Sequence, residues 1–219
     1  MTTPHDPRPA DARRMVREGY DRASHAYRGD EADLEMSGYG HWLRRLARRI
    51  EPGARVLDLG CGNGIPATRE MARQWATTGV DISPVQIERA RALVPAATFV
   101  CADMTEVEFG AASFEAVVAF YSIINVPVEE HPALLARIAR WLVPGGWLLA
   151  IVGRDPWTGV EQDFRGVAGV PMYWSHADVH RYRDWLAQAG FTIAEEGRQP
   201  EKGVPGFAVV LARRDRPEG

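Results

Sequence analysis

The segment from Arg55 to Gly64 reads RVLDLGCGNG and leaves the chain little choice of fold. Val56, Leu57 and Leu59 form a short apolar run, as in a strand buried on both faces. Glycines then recur at alternate positions (Gly60, Gly62, Gly64), followed by Ile65 and Pro66, with proline where the first turn of a helix tolerates it. Strand, glycine turn and helix make the opening of a nucleotide-binding α/β unit. Glycine accepts positive φ and lets a ligand approach the main chain. The helix start offers free N–H groups and the positive end of a dipole. A dinucleotide fingerprint needs G-x-G-x-x-G. Here the third glycine arrives one residue early and Ile65 occupies the fingerprint's glycine slot, which argues against a nicotinamide oxidoreductase.

A second acid strengthens the nucleotide reading. The strand expected over 75–80 ends at Asp81, about 20 residues past the glycine turn, where a carboxylate can accept hydrogen bonds from both hydroxyls of a ribose. Ser83 supplies the N-cap and Pro84 the first position of the next helix, expected over 85–94, so Asp81 is left for a ligand.

The remaining patterns bound the partners. The 219 residues, 46% of them hydrophobic, suffice for one α/β domain. Net charge is −3 and the isoelectric point about 6.1, with no basic stripe, so no nucleic-acid partner is expected. Arg44, Arg45, Arg48 and Arg49 lie opposite Trp42, Leu43, Leu46 and Ile50 at helical spacing and read as a solvated helix face. Cys61 and Cys101 are isolated, without metal or disulfide spacing. No signal sequence opens the chain, and no apolar run reaches the roughly 20 residues that span a bilayer. A reduced, soluble, cytoplasmic protein with no membrane partner and no metal is expected; the pattern leaves the oligomeric state open.

Asp58 stands two residues ahead of Gly60. An acid followed by G-x-G-x-G resembles motif I of the class I S-adenosylmethionine (SAM) dependent methyltransferases. The resemblance extends over nearly the whole chain from about Tyr20. The stretch Tyr20 to Tyr27 resembles the Y-D-x-x-A-x-x-Y element of small-molecule members, in which one tyrosine lies near the methionine end of SAM; His25 within it reads as structural. The run from Cys101 to Met104 resembles the motif in which an acid, here Asp103, meets the adenine amino group and the next backbone N–H meets the ring. Leu142, Pro144, Gly145 and Gly146 ahead of an apolar strand over 147–152 match a further element of the family. The chain departs from it at Asn125, where related chains often carry histidine. Asn125-Val-Pro127 is also not the Asn-Pro-Pro-aromatic motif of amino-methylating DNA enzymes, which argues against a DNA substrate.

The resemblance implies a Rossmann-like α/β fold: a seven-stranded, mostly parallel sheet with an antiparallel last strand, helices on both faces and an N-terminal helical lid. One domain is expected, divided into lid helices within 1–52 (helices over 11–27 and 31–50), a SAM-binding core over 53–152, a substrate-covering insertion over 153–175, and a C-terminal helix and strand pair over 176–219. The implied cofactor is S-adenosyl-L-methionine, leaving as S-adenosyl-L-homocysteine (SAH). Its expected contacts are Tyr20, Tyr27, Asp58, Gly60, Cys61, Gly62, Asp81, Ile82, Gln86, Asp103, Met104 and Phe120. The segment 153–174 reads as irregular and aromatic, with Ser175 capping the following helix. Tyr39, Trp157, Tyr173 and Trp174 are the expected acceptor contacts and favour a flat, apolar small molecule.

Methyl transfer from a sulfonium is an in-line displacement. A protein contributes chiefly proximity and orientation, worth roughly 7–11 kcal/mol in well-oriented reactions. An oxygen acceptor must also lose a proton. His176, read as lying at a helix start that keeps its imidazole neutral, is the candidate base, and Tyr121 the candidate orienting group. The resulting reading is methylation of a small acceptor on oxygen, nitrogen or sulfur in secondary metabolism. The alternative is a SAM-binding protein that transfers no methyl, since its cofactor motifs would look the same.

Overall fold

The computed structural model describes residues 7–31, 34, 38–201 and 204–216. Its main sheet contains seven strands: β1 (Arg55–Leu59), β2 (Ala76–Asp81), β3 (Thr98–Cys101), β4 (Phe114–Ala119), β5 (Leu142–Val152), β8 (Phe191–Glu201) and β9 (Val204–Arg214). They run in the order β3-β2-β1-β4-β5-β9-β8, with β9 antiparallel to both neighbours and the first five strands parallel. The order reverses beside β1, between β2 and β4, and ligands bind at such a point outside the carboxyl ends of the strands.

Both faces are covered, as parallel sheets require. On one side, Leu57, Leu59, Val117 and Leu148 meet α5 (His131–Trp141) and α6 (Val179–Gln188) through Leu134, Ile138, Trp141, Tyr182 and Leu186. On the other, Val56, Val118, Leu149 and Val209 meet α2 (Tyr39–Ala47) and the short α3 (Ala67–Met71) through Trp42, Leu46 and Met71. A smaller core joins α4 (Pro84–Leu93) to Ile65 and Phe99. As the sequence suggested, Ser83 caps α4 by accepting the Gln86 N–H at 3.1 Å.

The second lid helix is shorter than expected. It spans Tyr39–Ala47 and starts after Gly38 in the left-handed region (φ 73°); Glu31 and Leu34 are not helical, and the rest of 31–37 lies outside the described residues. Its arginines are not a purely solvated face. Arg45 and Arg49 both pair with Glu195 of β8, and Arg49 stands 5.1 Å over the Trp147 ring.

The segment 153–174 is not irregular either. β6 (Trp157–Glu161) and β7 (Met172–His176) form a separate antiparallel pair, with Trp157 opposite His176 and Glu161 opposite Met172. Ser175 therefore lies in a strand and caps nothing. Its Oγ accepts the Val128 N–H at 3.0 Å and bonds the Thr158 hydroxyl at 2.9 Å. Asp178 is the true cap of α6, accepting the Arg181 N–H at 2.9 Å. The strand pair buttresses α1 (Pro9–Tyr27). Ala12, Val16 and Ala23 of α1 pack with Phe164, Val170, Met172 and Tyr173, and a side chain at Gly19 would come within 2.7 Å of the Met172 methyl carbon.

Candidate cofactor and acceptor site

The site begins at the turn after β1. Gly60, Gly62 and Gly64 all have positive φ (75°, 54° and 79°), the conformation that glycine adopts without strain. Gly60 is needed for a further reason. A Cβ there would collide with Ser122, whose hydroxyl donates to the Leu59 carbonyl at 2.5 Å and ties the outlet of β4 to that of β1. At Gly62 a Cβ would meet nothing, because the turn faces open space.

That space is a cavity of about 650 Å³ lined by Tyr20, Tyr27, Gly60, Gly62, Asp81, Ile82, Asp103, Met104, Phe120 and Tyr121, all expected from the sequence, by Asn125, which the sequence marked as a departure, and by Arg13, Val16, Ser122, Val126 and Pro127, which it had not assigned to a site. Across the glycine turn lies a recess of about 330 Å³ that includes Tyr27, Arg28, Tyr39, Asp58, Cys61, Asn63 and Phe120. Helix α1 roofs the larger cavity through Arg13, Val16 and Tyr20.

The acids sit at strand ends and are largely satisfied by the protein. Asp81 accepts N–H groups from Gly62 at 2.8 Å and Ser83 at 2.9 Å, so the carboxylate proposed to hold a ribose also braces the glycine turn. Asp58 is 2% exposed and accepts the Thr68 hydroxyl at 2.6 Å. Burial raises both carboxyls from the ordinary 3.8, Asp58 to about 7 and Asp81 to about 6. Asp103 accepts the Thr105 N–H and hydroxyl, each at 2.7 Å, and pairs with Arg13 of the roof at 2.9 Å. Arg13 reaches on to Glu130 at 2.5 Å, so one side chain straps α1 to two loops.

The other end of the cavity lies between α1 and the segment after β4. Tyr121 takes a left-handed backbone (φ 58°), an uncommon and costly choice for a bulky residue that turns the chain sharply out of the strand. The Tyr20 hydroxyl donates to Asn125 Oδ1 at 3.1 Å, and Asn125 Nδ2 donates to the Tyr173 carbonyl at 2.7 Å. Burial raises the Tyr20 pKa well above its ordinary value, so the hydroxyl stays protonated. Beneath this segment, His131 is fully buried; Nε2 bonds the Val126 carbonyl at 2.9 Å and Nδ1 the Tyr182 hydroxyl at 3.0 Å.

Several expected contacts lie elsewhere. Gln86 is buried outside both spaces and accepts the Ser24 hydroxyl at 3.0 Å, joining α4 to α1. Trp157 is 47% exposed and lines neither space. The Trp174 indole donates to Glu161 at 3.0 Å and packs on Phe164, while Tyr173 contributes its carbonyl and buries its ring with α1. Tyr39 stacks on Phe120 at 4.5 Å and lines the smaller recess. His176 stands at the end of β7, outside both spaces, with the Phe207 ring (5.7 Å) beside it; Phe207 in turn touches the Tyr121 ring (5.2 Å). Burial, rather than a helix N-terminus, lowers its pKa.

The donor set suits SAM. A side-chain-free turn opens onto space at Gly62, and the cavity beside it is lined by the apolar Ile82, Ala102 and Met104 and by the carboxylates of Asp81 and Asp103, a mix that fits a flat base and a hydroxyl-bearing sugar. Comparisons with known proteins agree. Residues 56–146 match a family model described as a methyltransferase domain. The chain is 36% identical over 133 residues to 27-O-demethylrifamycin SV methyltransferase of Amycolatopsis mediterranei (strain S699), covering 57% of this chain and 48% of the relative. It is 33% identical over 144 residues to aklanonic acid methyltransferase DauC of Streptomyces sp. (strain C5), covering 61% and 63%. The chain thus spans about half the length of the curated relatives it matches. Its fold superposes on magnesium protoporphyrin IX methyltransferase of Synechocystis PCC 6803 with bound SAH, with a TM-score of 0.69 at 19% identity, covering 94% of this chain and 100% of that one. Motif, sheet order and sequence relatives point the same way: over residues 56–146 the chain is similar to methyltransferases, and its fold is the Rossmann-like one of the methyltransferase structures.

Proposed function

We propose that the protein transfers a methyl group from SAM to a small, largely apolar acceptor. The observation that carries this reading is the α1-roofed cavity, which joins the glycine turn and Asp81 at one end to Tyr20, Tyr121 and Asn125 at the other. Gly60, Gly62, Asp58 and the recess behind them would hold the amino-acid tail, Asp81 the ribose, and Ile82, Asp103 and Met104 the base. When bound, SAM supplies an activated methyl group on a sulfonium. Val16, Phe120, Val126 and Pro127 exclude water from the space where an acceptor would sit.

The acceptor wall carries polar groups that orient rather than remove protons. Tyr20 stays protonated and donates to Asn125, whose amide in turn donates to the Tyr173 carbonyl. With His176 outside the cavity, the favoured acceptors are those whose nucleophile forms without a strong enzymic base: an acidic phenol, a thiol or an amine. The relatives named for 27-O-demethylrifamycin SV and aklanonic acid support a small-molecule acceptor of the kind made in secondary metabolism.

Methyl-labelled SAM incubated with panels of phenols, thiols and amines tests the reading. Label appearing in one class with matching SAH release is the expected result. SAH and SAM binding by calorimetry with no label transferred to any class favours a SAM-binding protein without methyl transfer, and NAD binding in their place overturns the cofactor.

A further inference from the structure

Gly145, near the start of β5, takes φ 82°, and two guanidinium groups flank it. The position that a Cβ would occupy there lies 3.2 Å from Arg213 Nη2 and 3.2 Å from Arg216 Nε. Arg213 is fixed in this place. Its Nε donates to the Gly145 carbonyl at 3.2 Å. Its guanidinium stands 5.8 Å from the centre of the Trp147 ring, the residue opposite it in the β5–β9 ladder. Arg49 stands over the same ring at 5.1 Å.

Among the described residues no carboxylate forms an ion pair with Arg213 or Arg216. The acids around them are engaged elsewhere. Glu195 is shared by Arg45 and Arg49. Glu115, whose carbonyl faces Gly146, pairs with Arg55. Asp215 accepts the Thr192 hydroxyl at 2.7 Å. Two like charges brought to one point repel each other unless an anion joins them. The space between them carries no side chain, because the residue that would fill it is glycine.

We propose that Arg213, Arg216 and the Gly145 turn form a binding site for a small phosphate-bearing molecule. A guanidinium presents its N–H donors in a rigid fork that matches phosphate oxygens, and two forks can share one tetrahedral dianion. Two cations aimed at a single point suit one phosphate group. The site is separate from the cavity. Gly145 lies toward the amino end of β5 and Arg213 toward the carboxyl end of the antiparallel β9, whereas the cavity opens beyond the carboxyl ends of β1 and β2. It therefore stands independently of the SAM reading.

Amide NMR at constant ionic strength tests this, with inorganic phosphate and phenyl phosphate as probes and chloride as the reference anion. Both probes should shift the Gly145, Gly146 and Trp147 amides saturably, at concentrations where chloride does not. Arg213→Ala and Arg216→Ala should each weaken phosphate binding by about 10- to 100-fold, the range of charge-assisted hydrogen bonds. Unchanged amide positions elsewhere certify the fold of each variant. Arg181→Ala, on exposed α6 surface across the sheet, removes the same charge and should leave phosphate affinity as in wild type. Shifts that never saturate, shifts matched by chloride, or an equal weakening in Arg181→Ala overturn the site in favour of general charge attraction. Retention on phosphatidic acid vesicles without saturable binding of either soluble probe overturns it in favour of a membrane surface.

Discussion

At the scale of single residues, the buried acids make the sharpest prediction. Asp58 titrates near 7 in the native protein because burial disfavours its charge, against 3.8 ordinarily. Between those values the native state keeps a proton that the unfolded chain has released, so stability falls as pH rises through the window and levels off above it. Asp58→Asn removes that dependence. It should melt above wild type at about pH 8, with the difference shrinking toward about pH 4, when thermal melts are compared across pH. Affinity for SAH should run the other way. An ammonium-bearing tail favours ionised Asp58, so wild-type binding by calorimetry should weaken as pH drops below about 7, whereas Asp58→Asn should keep only the weakening that begins near 6 as Asp81 takes up its proton. Much of this site was legible because its demands are local. Alternating glycines, an acid two residues ahead and an acid at the next strand end are requirements of adjacent backbone. Arg13 and Arg28 were not legible. Each reaches the site through contacts remote in sequence, such as Arg13 with Glu130, and no spacing within its own helix or turn marks it.

At the scale of elements, α1 is held over the cavity by Arg13, which binds Asp103 and Glu130, and by the β6–β7 pair packed behind it. Arg13→Ala should leave the fold intact but speed amide hydrogen exchange in residues 9–27, as expected when a roofing element loses its strap; unchanged exchange there would place the hold on α1 in β6–β7 alone. The segment after β4 is held from beneath by His131 and Tyr182. Burial lowers the His131 pKa to about 4 from 6.5. Between those values the unfolded chain binds a proton that the native state refuses, so this group's contribution to stability is present above the window and lost as pH falls through it. Tyr182→Phe leaves a buried ring nitrogen without its donor and should cost about 1–3 kcal/mol in denaturant unfolding. Element boundaries were misread where long-range pairing decides them. Ser175 and Asp178 have the spacing of a capping box, but pairing with β6 claims Ser175 and delays α6 to Val179. Aromatic residues hid the two-residue alternation of β7, because Tyr173 and Trp174 face opposite sides of the strand, Tyr173 buried and Trp174 half-buried.

At the scale of the molecule, the sheet order places the acids at the carboxyl ends of β1, β2 and β3, and the β4 outlet closes the same space from the far side. The cavity therefore exists only when strands distant in sequence are paired and α1 is docked across them. A ligand that fills it binds the native state alone, and mass action then stabilises the whole domain. SAH at about 100 times its dissociation constant should add about 2.7 kcal/mol. For a chain of this length that corresponds to a rise of about 5–11 °C in melting temperature. NAD should leave the melt unmoved, because Ile65 stands where a dinucleotide turn needs glycine. Asp81→Ala should abolish the SAH shift, since it removes both the proposed ribose contact and the brace on the Gly62 N–H. Asp81→Asn separates these two roles. It keeps an oxygen for one backbone donor but carries no charge, so a shift retained in Asn and lost in Ala would assign Asp81 to holding the turn, whereas a shift lost in both would assign it to gripping the sugar.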